Sequence, residues 1–143
     1  KKSNKILFMP YYKGINLDSL NSFELNNIMK YKKKYLKNLN IKIIKKIVKT
    51  FTLDSLNLKS DFIKLDVENH ELEVLKGGKQ HLKKNKPVIL LENNKKIRKV
   101  SLFLKSINYS PYRISKNGFT KNKNLLGDDI FFFHRSKNIN KLI

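Results

Sequence analysis

The chain has 143 residues and a mass of 16.9 kDa, room for one domain, and its 40% hydrophobic residues suffice for a single core. It carries 32 Lys+Arg against 11 Asp+Glu, a formal net charge of +21, and no cysteine, which removes a disulfide framework, a thiolate metal site and a cysteine nucleophile. No apolar run approaches the ~20 residues that cross a bilayer, and Ile6-Leu7-Phe8-Met9 is too short for a secretion signal, so the expectation is a soluble, cytoplasmic chain with no transmembrane segment.

Lys5 to Pro10 is a short apolar run stopped by proline and predicts a short strand, with a turn at Tyr11-Tyr12-Lys13-Gly14. From Ser22 to about Asn38, Leu25, Ile28, Met29, Tyr35, Leu36 and Leu39 fall near helical spacing between lysines, which predicts an amphipathic helix with Ser22 as N-cap. Ile41 to Leu53 is rich in Ile, Val, Thr and Phe and alternates with Lys45 and Lys49. It predicts a half-exposed strand paired with the first one, followed by a helical turn at Asp54-Ser55-Leu56.

The texture then changes. Phe62 to Glu68 reads as a compact strand ending in carboxylates, Glu71 to Lys84 as a helix with Leu72, Leu75 and Leu82 on one face, and Pro87 to Glu92 as a strand covered on both sides. A helix from Lys95 to Asn108, a strand from Tyr109 to Ser115, a turn at Lys116-Asn117-Gly118 and a strand from Asp129 to Arg135 complete the series, with a loose tail from Ser136 to Ile143. Two successive parallel crossovers and a pair of strands joined without a helix imply an α/β sheet whose last two strands are antiparallel.

All of the basic residues except Arg98, Arg113 and Arg135 are lysine, and alanine and tryptophan are absent. Lys, Asn, Ile, Phe and Tyr have AT-rich codons, so a coding bias accounts for the charge without selection for phosphate binding. Arginine, whose rigid fork reads phosphates and bases, is scarce. Solvated lysine faces are therefore expected, Lys32 to Lys34 among them, and nucleic acid is not the expected partner.

Ligands of parallel α/β sheets bind outside the carboxyl ends of the strands. Asp66 and Glu68 close one such strand, and Glu92-Asn93-Asn94 closes the next, so their polar groups point to a common crevice; either they serve chemistry there or they cap turns and helix starts. His70 lies at the rim as a base or as an exposed loop histidine, His81 is expected to be structural, and His134 to lie at the surface. No His/Asp/Glu spacing matches a structural zinc site, so no metal ligand is assigned, and no serine sits on a nucleophile elbow.

Thr52-Leu53-Asp54-Ser55-Leu56, the run Asp61 to Gly78 containing Ile63-Lys64-Leu65-Asp66-Val67-Glu68-Asn69-His70-Glu71, and Lys86 to Glu92 resemble the FkbM-type family of S-adenosylmethionine-dependent methyltransferases. The hallmark of that family is a strand reading Ile-Lys-hydrophobic-Asp-Val-Glu-Gly, one residue, Glu, then Val-Leu-Lys-Gly. Asn69 stands at the glycine position, where a left-handed backbone suits asparagine too. The resemblance implies a doubly wound, Rossmann-like sheet with an antiparallel C-terminal hairpin, as a partial domain over residues 1–135 (a peripheral 1–56 and a core 57–135) and a tail over 136–143. The family's Asp-x-Gly-x-Asn cofactor loop does not occur before Asp66 and the chain starts at Lys1. It is therefore expected to be the later part of a longer protein, lacking the main S-adenosylmethionine-binding loop.

The implied activity is methyl transfer from S-adenosylmethionine to a hydroxyl of a sugar, lipid or natural product, an in-line displacement in which the enzyme aligns the acceptor and supplies a base. The resemblance places Asp66 and Glu68 as catalytic residues and makes Glu71 the family's helix-start acid, for which contact with the dipole is expected before catalysis; the strand ends and crevice rim put Asn69, His70, Glu92 and Asn93 at the acceptor pocket, or Glu92 and Asn93 as strand-end caps. Two rivals remain open: a basic module that binds RNA or anionic surfaces through the lysines from Lys30 to Lys49, and a methyltransferase fold kept as a non-catalytic scaffold.

Overall fold

The computed structural model describes residues 2–67 and 69–139 and divides the chain into two compact units, Lys1–Phe51 and Thr52–Ile143. In the first unit, the strand expected over Lys5–Pro10 extends both ways to form β1 (Lys2–Tyr12). A two-residue turn at Lys13 and Gly14, both at positive φ (48° and 82°), returns it into β2 (Ile15–Asn16), the twist that suits a tight hairpin. After α1 (Leu25–Tyr35) comes β3 (Lys42–Phe51), which pairs antiparallel with β1 from Lys2↔Phe51 to Tyr11↔Lys42, as its alternation predicts. This ten-pair ladder carries the first strand past its apolar run, since backbone pairing, reinforced by Ser3 Oγ against Thr50 Oγ1 at 2.8 Å, does not depend on side-chain hydrophobicity.

Ser22 is not the helix cap. Its backbone is committed to Phe8 in both directions (Phe8 N–H to Ser22 O, 2.8 Å; Ser22 N–H to Phe8 O, 3.1 Å), so the helix starts later, after Glu24, and Ser22 Oγ accepts the Glu24 N–H instead. Ile28 is the one buried residue of α1, with Ile41 and Pro10 the other buried apolar groups of this unit.

In the second unit a 3₁₀ turn (Leu53–Leu56) precedes β4 (Phe62–Leu65), α2 (Glu71–Gly77), α3 (Lys79–Asn85), β5 (Val88–Glu92), α4 (Ile97–Lys105), β6 (Tyr109–Ser115), β7 (Gly118–Lys121) and β8 (Asp129–His134). The helix expected over Glu71–Lys84 is thus two helices, broken at Gly78. A Cβ there would stand 2.7 Å from Leu53 Cδ2, and one on Gly77 would stand 3.3 Å from Thr52 Cγ2, so the glycine pair lets the 3₁₀ turn press against the helices.

The unit is a mixed α/β structure whose five-stranded sheet has the order β4-β5-β8-β6-β7. β4 and β5 are parallel, as the first crossover requires; β5 and β6 run the same way, but β8 is inserted between them, antiparallel to both. The C-terminal hairpin is formed by β6 and β7, a strand that the sequence reading leaves as loop because Gly118-Phe119-Thr120-Lys121 is short and half exposed. Leu75, Leu82, Val100 and Leu104 from the helices pack on Ile89, Leu91, Tyr109, Ile130 and Phe132 in one continuous core, and the Tyr109 hydroxyl donates to Leu82 O at 3.3 Å. Phe131 and Phe133 alternate to the other face, where Phe119 meets them edge-on at 5.1 and 4.9 Å. Four residues of the expected tail, 140–143, lie outside the described residues.

Candidate active site

The register of β4 on β5 decides which polar groups become neighbours. Leu65 is paired with Leu91, so Asp66 and Glu92, one step further on, stand side by side at the carboxyl ends of the two parallel strands, and both are exposed. Across β5, Glu92 is paired with Asp129 of β8. Three acidic residues thus occupy neighbouring positions at one end of the sheet of a strongly basic chain. Like charges at adjacent positions repel, and solvent and lysines offset the repulsion only in part, so this edge favours a cationic or hydrogen-donating visitor.

The segment between β4 and α2 is drawn tight. His70 N–H donates to Val67 O at 3.1 Å, and Asn69 adopts a left-handed φ of 74°, as expected of a residue in the glycine position. Glu68, expected to share the catalytic role, lies outside the described residues. His70 is half buried and immediately precedes α2. Glu71 opens α2, at the helix start where it was expected, and its side chain is buried there. It is only 3% exposed; its Oε1 accepts the Asn69 N–H at 3.2 Å, and its Oε2 is buried with no hydrogen-bond partner among the described residues.

The second strand end is held as firmly. Asn93 N–H donates to Asp128 O at 2.6 Å, and its Nδ2 donates to Leu125 O and Gly127 O at 2.9 and 2.8 Å, so its amide nitrogen is spent on the loop before β8. Asn122, 3% exposed, ties the same loop through Leu126, donating to its carbonyl and accepting its N–H, both at 2.8 Å. Asn94 Oδ1 accepts the Lys96 N–H at 2.9 Å, and the Lys96 ammonium reaches across to the Asn69 carbonyl at 2.8 Å. The two strand ends are therefore bridged. Sequence reading passes over Lys96 and Asn122: one lysine among so many carries no signal, and a loop asparagine reads only as a turn former.

A second polar cluster lies before the amino end of β4. His81, 6% exposed, has Nε2 at 2.7 Å from Ser60 Oγ and Nδ1 at 3.0 Å from Asn85 Nδ2, while Asp54 accepts the His81 and Gln80 backbone N–H groups at 2.8 and 3.2 Å. A cavity of about 420 Å³ opens beside it between Asp54, Lys59, His81 and Lys84. Asn85 Nδ2 also faces Leu58 O at 3.5 Å, so the contacts of His81 and Asn85 tie α3 to the segment before β4. Among the described residues no group of three or more His, Cys, Asp or Glu is placed to hold a metal ion, and no helix is long and apolar enough to cross a membrane.

A family model described as the methyltransferase FkbM domain matches residues 11–113, more than half of the chain, including β4, β5 and the bridged strand ends. No curated protein and no solved structure matches the chain.

Proposed function

The chain belongs to the FkbM methyltransferase family, and from that premise we propose that it serves the transfer of a methyl group from S-adenosylmethionine to a hydroxyl of a sugar, lipid or natural product at the ends of β4 and β5. The observation that carries this reading is the register that sets Asp66 beside Glu92 within the matched segment. When bound, S-adenosylmethionine supplies a methyl group on a cationic sulfur. Asp66, Glu92 and Asp129 suit that end of the donor, since their carboxylates offset a positive charge.

The nucleoside end has a poorer fit. Among the described residues no glycine-rich turn leads from a strand into a helix; Gly14 sits in the β1–β2 hairpin. The assigned work of this chain's residues is therefore on the acceptor. The exposed Asp66 carboxylate accepts the acceptor hydroxyl, orients its oxygen and takes its proton, with Glu68 as second acid. Asn69 and His70 form one wall of the acceptor pocket and Glu92 and Asn93 the other.

Titration calorimetry of the full-length protein with S-adenosylmethionine, together with release of S-adenosylhomocysteine over a panel of sugar, lipid and polyketide alcohols, tests the reading. Heat of binding and acceptor-dependent release by the full-length protein are expected; absence of both overturns it.

A further inference from the structure

We propose that Lys96 and Glu71 are positioning residues, a two-sided clamp on the peptide groups of Asn69 that holds the segment after β4 in its working conformation; the inference rests on the acceptor-site reading above. Asn69 is the pivot. Its left-handed φ of 74° is one that asparagine tolerates, and a hydrogen bond holds it on either side. On one side, Glu71 Oε1 accepts the Asn69 N–H at 3.2 Å; on the other, the Lys96 ammonium donates to the Asn69 carbonyl at 2.8 Å. Both partners carry a formal charge, which makes these the stronger class of hydrogen bond.

The clamp joins elements that the chain keeps apart. Glu71 opens α2, which follows β4, whereas Lys96 immediately precedes α4, which follows β5, and its own N–H is fixed by Asn94 Oδ1. Lys96 thus fastens the loop of one strand to the end of its parallel neighbour, and His70 N–H donates to Val67 O within the same loop.

Glu71 has the marks of a residue kept for this task. Glu71 is 3% exposed, and its Oε2 is buried without a hydrogen-bond partner among the described residues. Burying such an oxygen is unfavourable, and the bond that its other oxygen makes to the loop is what the burial secures.

The test compares the whole chain with Lys96→Met, Lys96→Arg and Glu71→Gln by amide hydrogen exchange and by S-adenosylhomocysteine release. Lys96→Met is expected to speed exchange at Asn69 by about tenfold, the effect of losing one charge-assisted bond, while the core amide of Leu91 keeps its protection and certifies the fold. Release is expected to fall by a similar factor with the affinity for S-adenosylmethionine unchanged, and Lys96→Arg is expected to restore both. Glu71→Gln keeps an oxygen for the Asn69 N–H but loses the charge, and an intermediate effect on exchange is expected.

Unchanged exchange at Asn69 in Lys96→Met overturns the clamp. Faster exchange with undiminished release in an active protein overturns its positioning role. If the parent chain itself releases no product, the proposed function falls, and the exchange data still decide the clamp.

Discussion

In the Lys1–Phe51 unit the buried apolar residues are Ile28, Ile41 and Pro10, while Ile47 on the β3 ribbon is 73% exposed; in the Thr52–Ile143 unit eleven residues, from Leu75 to Phe132, form one unbroken core. The acids divide in the same way. Asp18 and Glu24 are the only ones before Thr52, and the rest follow it, with Asp66, Glu92 and Asp129 gathered at one sheet edge. A small sheet whose third strand is only two residues long is marginal without a buried face, whereas a packed sheet holds its strand ends still. Polar groups that must be placed to within a fraction of an ångström belong on the second kind of floor. The contrast separates the two kinds of charge: the lysines are spread along the whole chain, and most of the acids lie in the unit with the packed sheet.

The contrast is sharpest in core substitutions. Phe132→Ala is expected to cost about 3–5 kcal/mol, because Phe132 is fully buried between neighbouring strands, while Ile47→Ala is expected to stay within about 0.5 kcal/mol. Urea unfolding of the two variants measures both, and equal losses would erase the distinction between the units. Gly78→Ala comes next, at about 1–3 kcal/mol, since the new Cβ collides with Leu53 and the 3₁₀ turn must shift. Thermal unfolding that leaves Gly78→Ala unchanged would show that the turn is not pressed against the helices.

The smallest effect is expected at His134. Its folded pKa is lowered from 6.5, by burial first and then by Lys86 and Lys137, and its Nδ1 accepts the Ser136 N–H at 3.2 Å. The unfolded chain therefore takes up the proton first, and stability declines as pH falls from 6.5 toward the lowered value. His134→Gln is expected to remove that part of the slope. Because much of the ring is solvated, the change is slight, and a slope that survives the substitution assigns it to another group.

Much of the second unit was legible in the residues. The apolar runs Phe62–Leu65 and Val88–Leu91 announce adjacent parallel strands, and Asn69 takes the left-handed turn that its position in the family motif implies. The insertion of β8 between β5 and β6 was not legible, because a non-local pairing leaves no local period. Nor was the burial of Glu71: a Glu at a helix start reads as a dipole partner, and no local pattern foretells that its Oε1 takes the Asn69 N–H from a buried position. Ser22 misleads for a similar reason, since a side chain suited to capping is overruled by the backbone pairing of Ser22 with Phe8.

The most direct measurement is the rate of S-adenosylhomocysteine release by the chain, by Asp66→Asn and by Asp18→Asn, in the presence of an acceptor alcohol that the parent methylates. Asp66→Asn is expected to lose about 100-fold or more, the scale of a missing general base, and Asp18→Asn, in the other unit, to match the parent. Equal rates for all three would contradict the placement of methyl transfer at the ends of β4 and β5.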